Sequence, residues 1–320
     1  MTKLIPLRDV VHNPHTALTV GTFDGVHAGH KVLINRVLTL AEQNDCKSVI
    51  VTFDPHPREI INPGPDGIKL LSTLEERREL LSDLGVNEMI VIPFDRDFSL
   101  LSSEDFVHEI IWKSIGVSRF VMGYDHQFGR NREGTIETVR RLGSELGFSV
   151  DVVSRQEVEE KTVSSTAIRN AIQEEGNMQL ASSFLERYYL LNGDVIHGDK
   201  RGRQLGYPTA NIRLSDSRKI IPAIGVYAVF ARVGKEYFPG MMNIGMRPTF
   251  DGDTVRLEAH LFDFDREIYG KEIQIQFVER IRGEQPFENL EALKKQLAED
   301  EEVSRNILSS YEPNIAKNSK

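Results

Sequence analysis

From Ala17 to Val153 short apolar runs alternate with segments of helical spacing, and that alternation restricts this part of the chain to a parallel sheet covered by helices. The strands read as Ala17–Phe23, Ser48–Phe53, Glu88–Pro93, Arg119–Met122 and Ser149–Val153. Between them, helical spacing begins near His30, Thr73, Ser103 and Glu133. The fold class expected is a doubly wound α/β sheet, in which ligands collect beyond the carboxyl ends of the strands. Near Leu191 the texture changes. Gly193–Val195, Thr209–Leu214, Gly225–Val233, Lys235–Ile244, Val255–Phe262 and Glu272–Gln276 are short strands parted by Gly, Pro and Asp. They predict a C-terminal antiparallel β-barrel, closed by a helix from about Asn289 to Leu297. At 320 residues the chain has room for two domains of roughly 150 residues each. The expected division is 1–186, 187–313 and a polar tail at 314–320.

The first crossover carries the most chemistry. Gly21-Thr22-Phe23-Asp24-Gly25-Val26-His27-Ala28-Gly29-His30 joins the first of these strands to its helix, and places two histidines three residues apart at the helix N-terminus. Residues at that spacing share a helix face, and free N–H groups with the positive end of the helix dipole favour an anion. His27 and His30 can therefore address one phosphate together. No G-x-x-x-x-G-K-[ST] motif occurs, so a Walker-type site does not compete. On pattern alone the histidines could equally decorate a glycine turn.

Composition narrows the classes. Thirty-nine Lys and Arg against 48 Asp and Glu give a net charge of −9, which does not suggest a nucleic-acid or acidic-membrane partner. The single Cys46 can form no intrachain disulfide, and no run approaches the roughly 18 apolar residues of a membrane span. With no apolar leader at Met1–Val11, the cytoplasm is the expected compartment.

Three more segments end strands or open helices on the same side: Thr52-Phe53-Asp54-Pro55-His56-Pro57, Gly123-Tyr124-Asp125-His126-Gln127-Phe128-Gly129-Arg130, and Ser164-Ser165-Thr166-Ala167-Ile168-Arg169. Each alone is an ordinary turn or cap. In this order, behind G-x-F-D-G-x-H-x-G-H, they resemble the N-terminal half of the bacterial bifunctional riboflavin kinase/FAD synthetases, whose signature belongs to the nucleotidyltransferase superfamily. The resemblance implies attack by the FMN phosphate on the α-phosphate of ATP, with His27 and His30 as catalytic residues at the phosphates. It implies phosphate or nucleotide contacts by Gly21, Phe23, Asp24, Gly29, Ser165, Thr166 and Arg169, and flavin contacts by Asp54, His56, Asp125 and Phe128. His126 stands where the family usually has an aromatic residue.

The second half carries its own pattern. Gly198-Asp199-Lys200-Arg201-Gly202-Arg203 packs glycines with basic residues ahead of an extended segment, Gly206-Tyr207-Pro208-Thr209-Ala210-Asn211. Thr209 and Asn211 share one face of a strand, and two neutral oxygen donors suit Mg²⁺. Val255–Leu261 alternates, which predicts Val255, Leu257, Ala259 and Leu261 inward and Arg256, Glu258 and His260 on the other face. By pattern alone Glu258 is a solvated surface residue.

G-x-Y-P-T-A-N, then Met242-Asn243-Ile244-Gly245-Met246-Arg247-Pro248-Thr249-Phe250, then Leu257-Glu258-Ala259-His260 and Arg280-Ile281-Arg282 resemble the riboflavin kinase half of the same family. There Glu258 would be the general base. Thr209 and Asn211 would be metal and phosphate ligands, Gly198, Lys200 and Gly206 would border ATP, and Arg282 would contact flavin. The family often has Gly and Pro where Glu186 and Tyr188 occur. The implied partners are riboflavin, FMN and ATP with Mg²⁺, FAD as product, and transient contact with apo-flavoproteins. Two alternatives are an adenylyltransferase for another phosphate ester with an inactive barrel, and a flavin-sensing binding protein.

Overall fold

Thr16–Val20 is buried along its whole length, as a strand must be when helices cover both faces of its sheet. In the computed structural model, which describes residues 1–64, 67–124, 128–130, 133–154, 164–198, 202, 205–249 and 252–314, this strand is β2 of a six-stranded parallel sheet. The others are β1 (Lys3–Pro6), β3 (Lys47–Asp54), β4 (Glu88–Pro93), β5 (Arg119–Gly123) and β6 (Ser149–Val153), in the order β1-β4-β3-β2-β5-β6. The chain runs outward from β2 through β3 to β4, then resumes on the opposite flank with β5 and β6. The switch point therefore lies between β2 and β5, where an open α/β sheet places its ligands.

Alternation along the strands sends side chains to two cores. Leu18, Val20, Val49, Val51, Ile90 and Ile92 pack with Val107, Ile111, Val139 and Leu142. On the opposite face lie Ile34 and Val37 of α1 (Ala28–Gln43) and Leu81 of α3 (Leu74–Leu84), with the short α2 (Pro57–Ile61) between them in sequence. The helix expected at Ser103–Ile115 is present as α4 (Ser103–Asp105), which continues as a π-helix over Phe106–Ile115. It is followed by α5 (Ile136–Leu146). β1 was not expected. It is four residues long, two of them exposed, and it offers no periodicity to read before it pairs with β4.

By packing, the chain divides into two compact units, one spanning Met1–Ser164 and the second beginning at Ser165. The second unit opens with α6 (Ser165–Gln173) and α7 (Met178–Leu185). Six antiparallel strands then close into a barrel in the order β10-β11-β8-β7-β12-β9. They are β7 (Tyr189–Ile196), β8 (Ala210–Leu214), β9 (Gly225–Val233), β10 (Glu236–Thr249), β11 (Gly252–Leu261) and β12 (Glu272–Arg282). The two opening helices pack with the barrel: Met178, Ala181 and Leu185 are buried, and the Ala223 N–H donates to the Ile172 carbonyl at 3.0 Å. The boundary expected at 186 thus falls after two helices that packing groups with the barrel. The last helix, α8 (Leu290–Leu308), is longer than the Asn289–Leu297 expected from sequence. Residues 315–320, most of the expected polar tail, lie outside the described residues.

Candidate active sites

The turn between β2 and α1 is an unusual piece of backbone. Phe23 (φ 46°), Gly25 (φ 85°) and Val26 (φ 43°) all adopt positive φ. Glycine accepts this freely, whereas Phe and the β-branched Val do not, at a cost on the order of 1–3 kcal/mol each. Such a shape persists only if its surroundings dictate it. Phe23 and Val26 are buried in the core beside Ile34 and Leu81, and a Cβ at Gly21 would come within 3.1 Å of the Phe23 ring. The chain leaves the turn in extended form at His27, the N-cap of α1 (φ −76°, ψ 174°).

His27 and His30 are brought together. Their rings stack with centroids 3.6 Å apart and 21° between planes, and the Phe23 ring meets His30 edge-on at 5.2 Å. His27 is 6% exposed. Burial first, then the neighbouring His27 and Arg77, push the His30 imidazole well below its ordinary range near 6.5, so it is neutral at pH 7. Gly29, between them in the first helical turn, is half-buried.

Two residues expected at the phosphates, Phe23 and Asp24, have buried side chains that hold the turn from within. Asp24 is 1% exposed, and its carboxylate accepts from the Leu71 N–H (3.0 Å), the Ser72 N–H (2.9 Å) and Ser72 Oγ (3.3 Å). A carboxylate so engaged pins the turn to Leu71–Ser72. Its charge partner is Arg77 of α3, 3% exposed, with Nη2 3.8 Å away. Arg77 also donates to Thr52 Oγ1 at 3.0 Å and to the Ser72 carbonyl at 3.3 Å. Sequence reasoning passed over Arg77, although a signal existed: it sits three residues after Leu74 and four before Leu81, a charge on an apolar helical stripe.

Asp54 ends β3 half-buried, and its carbonyl accepts from the Phe94 N–H at 3.3 Å. His56 caps α2, Nδ1 accepting from the Arg58 N–H at 3.1 Å. Phe128 extends a chain of aromatic contacts that runs from Phe53 and Phe94 through Phe98 to Phe106, whose ring lies 5.4 Å from that of Phe128. Phe106 belongs to the core on this face of the sheet, and Phe53, Phe98 and Phe128 pack against it partly buried. Asp125 and His126 lie outside the described residues. Ser165 and Thr166 open α6, with Arg169 one turn on, and all three belong to the second compact unit.

On the barrel, register gathers the second set. Glu258 of β11 pairs directly with Asn211 of β8, and on its other side with Asn243 of β10. Arg256 Nη1 lies 3.4 Å from Glu258 Oε1, while Leu257, Ala259 and Leu261 turn into the core as expected. Val255 does not: it is 42% exposed, since near the hairpin tip there is no core for it to reach. His260 Nδ1 lies 2.7 Å from the Pro208 carbonyl, which fixes the residue preceding Thr209. Thr209 in turn borders a cavity of about 250 Å³ lined by Pro208, Leu261, Phe264, Ile268 and Tyr269 with Asp265 and Arg266 at hand.

Gly198 presses against the Asn211 side chain so closely that a Cβ would collide with the amide. Gly206 (φ 86°) makes the turn before Tyr207, and Lys200 lies outside the described residues. Arg282, expected at the flavin, is held by α8. Its guanidinium grips the buried Asp300 of α8 through Nε at 2.9 Å and Nη2 at 2.7 Å, and so fastens the helix to the barrel.

Paired histidines stand at the switch point of a parallel sheet, and a carboxylate stands in register with T-x-N on a closed barrel, one set in each unit. Residues 10–167 match the family model described as FAD synthetase and residues 185–308 the one described as riboflavin kinase. The chain belongs to the family of bifunctional riboflavin kinase/FMN adenylyltransferases. A relative of that name from Listeria monocytogenes is 38% identical over 92% of this chain and 93% of its own. Its namesake in Escherichia coli K12 is 36% identical over 92% and 94%, and that of Bacillus subtilis 35% over 92% and 93%. A crystal structure described as a macrolide-efflux protein from Streptococcus pneumoniae is 34% identical, with TM-score 0.84 over 95% of this chain and 99% of its own. Efflux is said of that protein. Among the described residues of this chain, no helix is long and apolar enough to cross a membrane.

Proposed function

We infer that this chain phosphorylates riboflavin to FMN and adenylylates FMN to FAD, consuming ATP in both steps. The observation that carries the reading is that each unit holds a separate phosphate-handling set, the stacked His27–His30 pair in one and the Asn211–Glu258 register pair in the other. In the kinase step the terminal ribityl hydroxyl attacks the γ-phosphate of ATP, the bond to the β,γ-bridging oxygen breaks to release ADP, and Glu258 takes the hydroxyl proton. Arg256 beside it supports that role by holding the carboxylate's orientation. The cavity next to Thr209 suits a nucleotide base, with apolar walls for its faces and Asp265 and Arg266 for its polar edge.

Mg²⁺ fits here. Thr209 and Asn211 offer neutral oxygens, and the Asn211 amide has its place only because residue 198 is glycine, where a Cβ would collide with it. When bound, the ion would offset charge on the phosphate oxygens.

In the second step an FMN phosphate oxygen attacks the α-phosphate of ATP and pyrophosphate departs. No covalent enzyme intermediate is required, so catalysis is positioning and charge stabilisation. His27 and His30 serve as donors at the phosphates. The aromatic run ending at Phe128, with Asp54 and His56 near it, supports a flavin-facing role for the β3 and β5 ends. The hydrogen bonds of Asp24 to Ser72 and of Arg282 to Asp300 support a part for both in holding the fold around their sites. The unpaired thiol of Cys46 supports a reducing cytoplasm, where the FAD formed would pass to apo-flavoproteins by transient contact. Incubation with riboflavin, ATP and Mg²⁺, followed by chromatography, tests the reading. FMN should appear first and FAD after it; the absence of both would refute it.

A further inference from the structure

We propose that Arg77 is a positioning residue for adenylyl transfer, its buried guanidinium bracing the strained Thr22–Gly25 segment from which His27 and His30 are presented. The inference rests on the reading of those histidines as the phosphate site. Three anchors hold the segment: the Thr22 carbonyl accepts from Thr52 Oγ1 at 3.0 Å, the Asp24 carboxylate accepts from the Leu71 and Ser72 N–H groups, and the Gly25 N–H donates to Ser72 Oγ at 2.7 Å. Arg77 joins all three. It donates to Thr52 Oγ1 and to the Ser72 carbonyl, and lies against Asp24.

With Phe23, Gly25 and Val26 at positive φ, the segment keeps its shape only while those anchors agree. A guanidinium is suited to the task, because its planar fork reaches two acceptors at fixed separation where an ammonium is a single point. Arg77 also leaves a positive charge behind the histidine pair, and that charge helps keep His30 neutral.

The test uses full-length Arg77→Lys, Arg77→Met and Thr52→Val variants. Each is assayed for FAD formation from supplied FMN and, in the same preparation, for FMN formation from riboflavin. In Arg77→Met the turnover number for FAD should fall about 10²-fold, as a displaced catalytic group predicts, with KM for ATP changed far less and the kinase activity unchanged. Lys should recover part of that turnover. The acid limb of the FAD-forming pH profile should move to higher pH in the Met variant and stay in place in the Lys variant. Among the described residues, the titratable and charged groups acting on His30 are His27 at the N-cap of its helix and Arg77 from α3, which is itself paired with Asp24, so losing the Arg77 charge eases protonation. Full turnover with an unmoved acid limb in folded Arg77→Met would overturn the proposal. If that variant does not fold, Thr52→Val decides: reduced FAD turnover supports the brace, and wild-type turnover overturns it. Undiminished FAD formation by His27→Ala and His30→Ala would remove the reading of the site itself, whatever the Arg77 variants do.

Discussion

Glu258 shows how little a single residue reveals before its neighbours are placed. On alternation alone it is a solvated strand carboxylate; register then sets it against Asn211, and Arg256 closes on it from two residues away. Glu258→Gln keeps the shape and removes the proton acceptor, so the turnover number for FMN formation should drop about 10²–10⁴-fold with KM for ATP and riboflavin nearly unchanged. FAD formation from supplied FMN should persist. Near-normal turnover in a steady-state assay would return Glu258 to the surface.

His30 makes a second residue-scale prediction. Its folded pKa lies well below the unfolded value near 6.5, so as pH falls below about 6.5 the unfolded chain binds a proton that the folded chain refuses. Stability from this group is full above that pH and lost below it. Urea midpoints measured from pH 7.5 down to 5.5 should decline less steeply in His30→Gln than in the parent, and parallel slopes would contradict the assignment. His27 and His30 were legible because a contiguous motif carries them. Arg77 was not, because its meaning comes from Thr52 and Asp24, which are distant in sequence, and a charge on an apolar stripe was the only trace.

Among the elements, α8 was half legible for a physical reason. Leu290 to Leu297 has apolar spacing, but the face that continues onto the barrel is Asp300, Ser304 and Leu308, and two of those three are polar. Burial is tolerated because Asp300 meets Arg282 and Gln296, while Ser304 Oγ donates to the Asp300 carbonyl at 2.7 Å. Hydrophobic periodicity cannot register a helix held by an ion pair. Asp300→Asn should destabilise the chain on the order of 3 kcal/mol, since it leaves Arg282 largely buried without its counter-charge. Pairing it with Arg282→Met should recover much of the loss in chemical denaturation, and an unrecovered double variant would mean Asp300 acts through Gln296 instead. The sheet, by contrast, was legible almost strand for strand, because helices on both faces force continuous apolar runs.

For the whole molecule the open question is where one half ends, since function and packing divide the chain differently. The family models meet between residues 167 and 185, yet α6 and α7 bury Ile168, Ala171, Ile172, Met178, Ala181 and Leu185 within the unit that contains the barrel. Polar links add to this: Arg280 donates to the Glu175 carbonyl, and Gln179 pairs with Glu279 at 2.8 Å. Apolar burial is worth roughly 25 cal/mol per Å², so a barrel stripped of both helices loses several well-buried side chains and exposes the surface they covered. A fragment beginning at Ser165 should therefore melt cooperatively, phosphorylate riboflavin and make no FAD. One beginning at Arg187 should melt at lower temperature and tend to associate. Calorimetry and light scattering of the two fragments, with kinase assays on both, decide the matter. Equal melting temperatures would show that α6 and α7 contribute nothing to the barrel's stability, and would favour a domain boundary at 186 over one at 164.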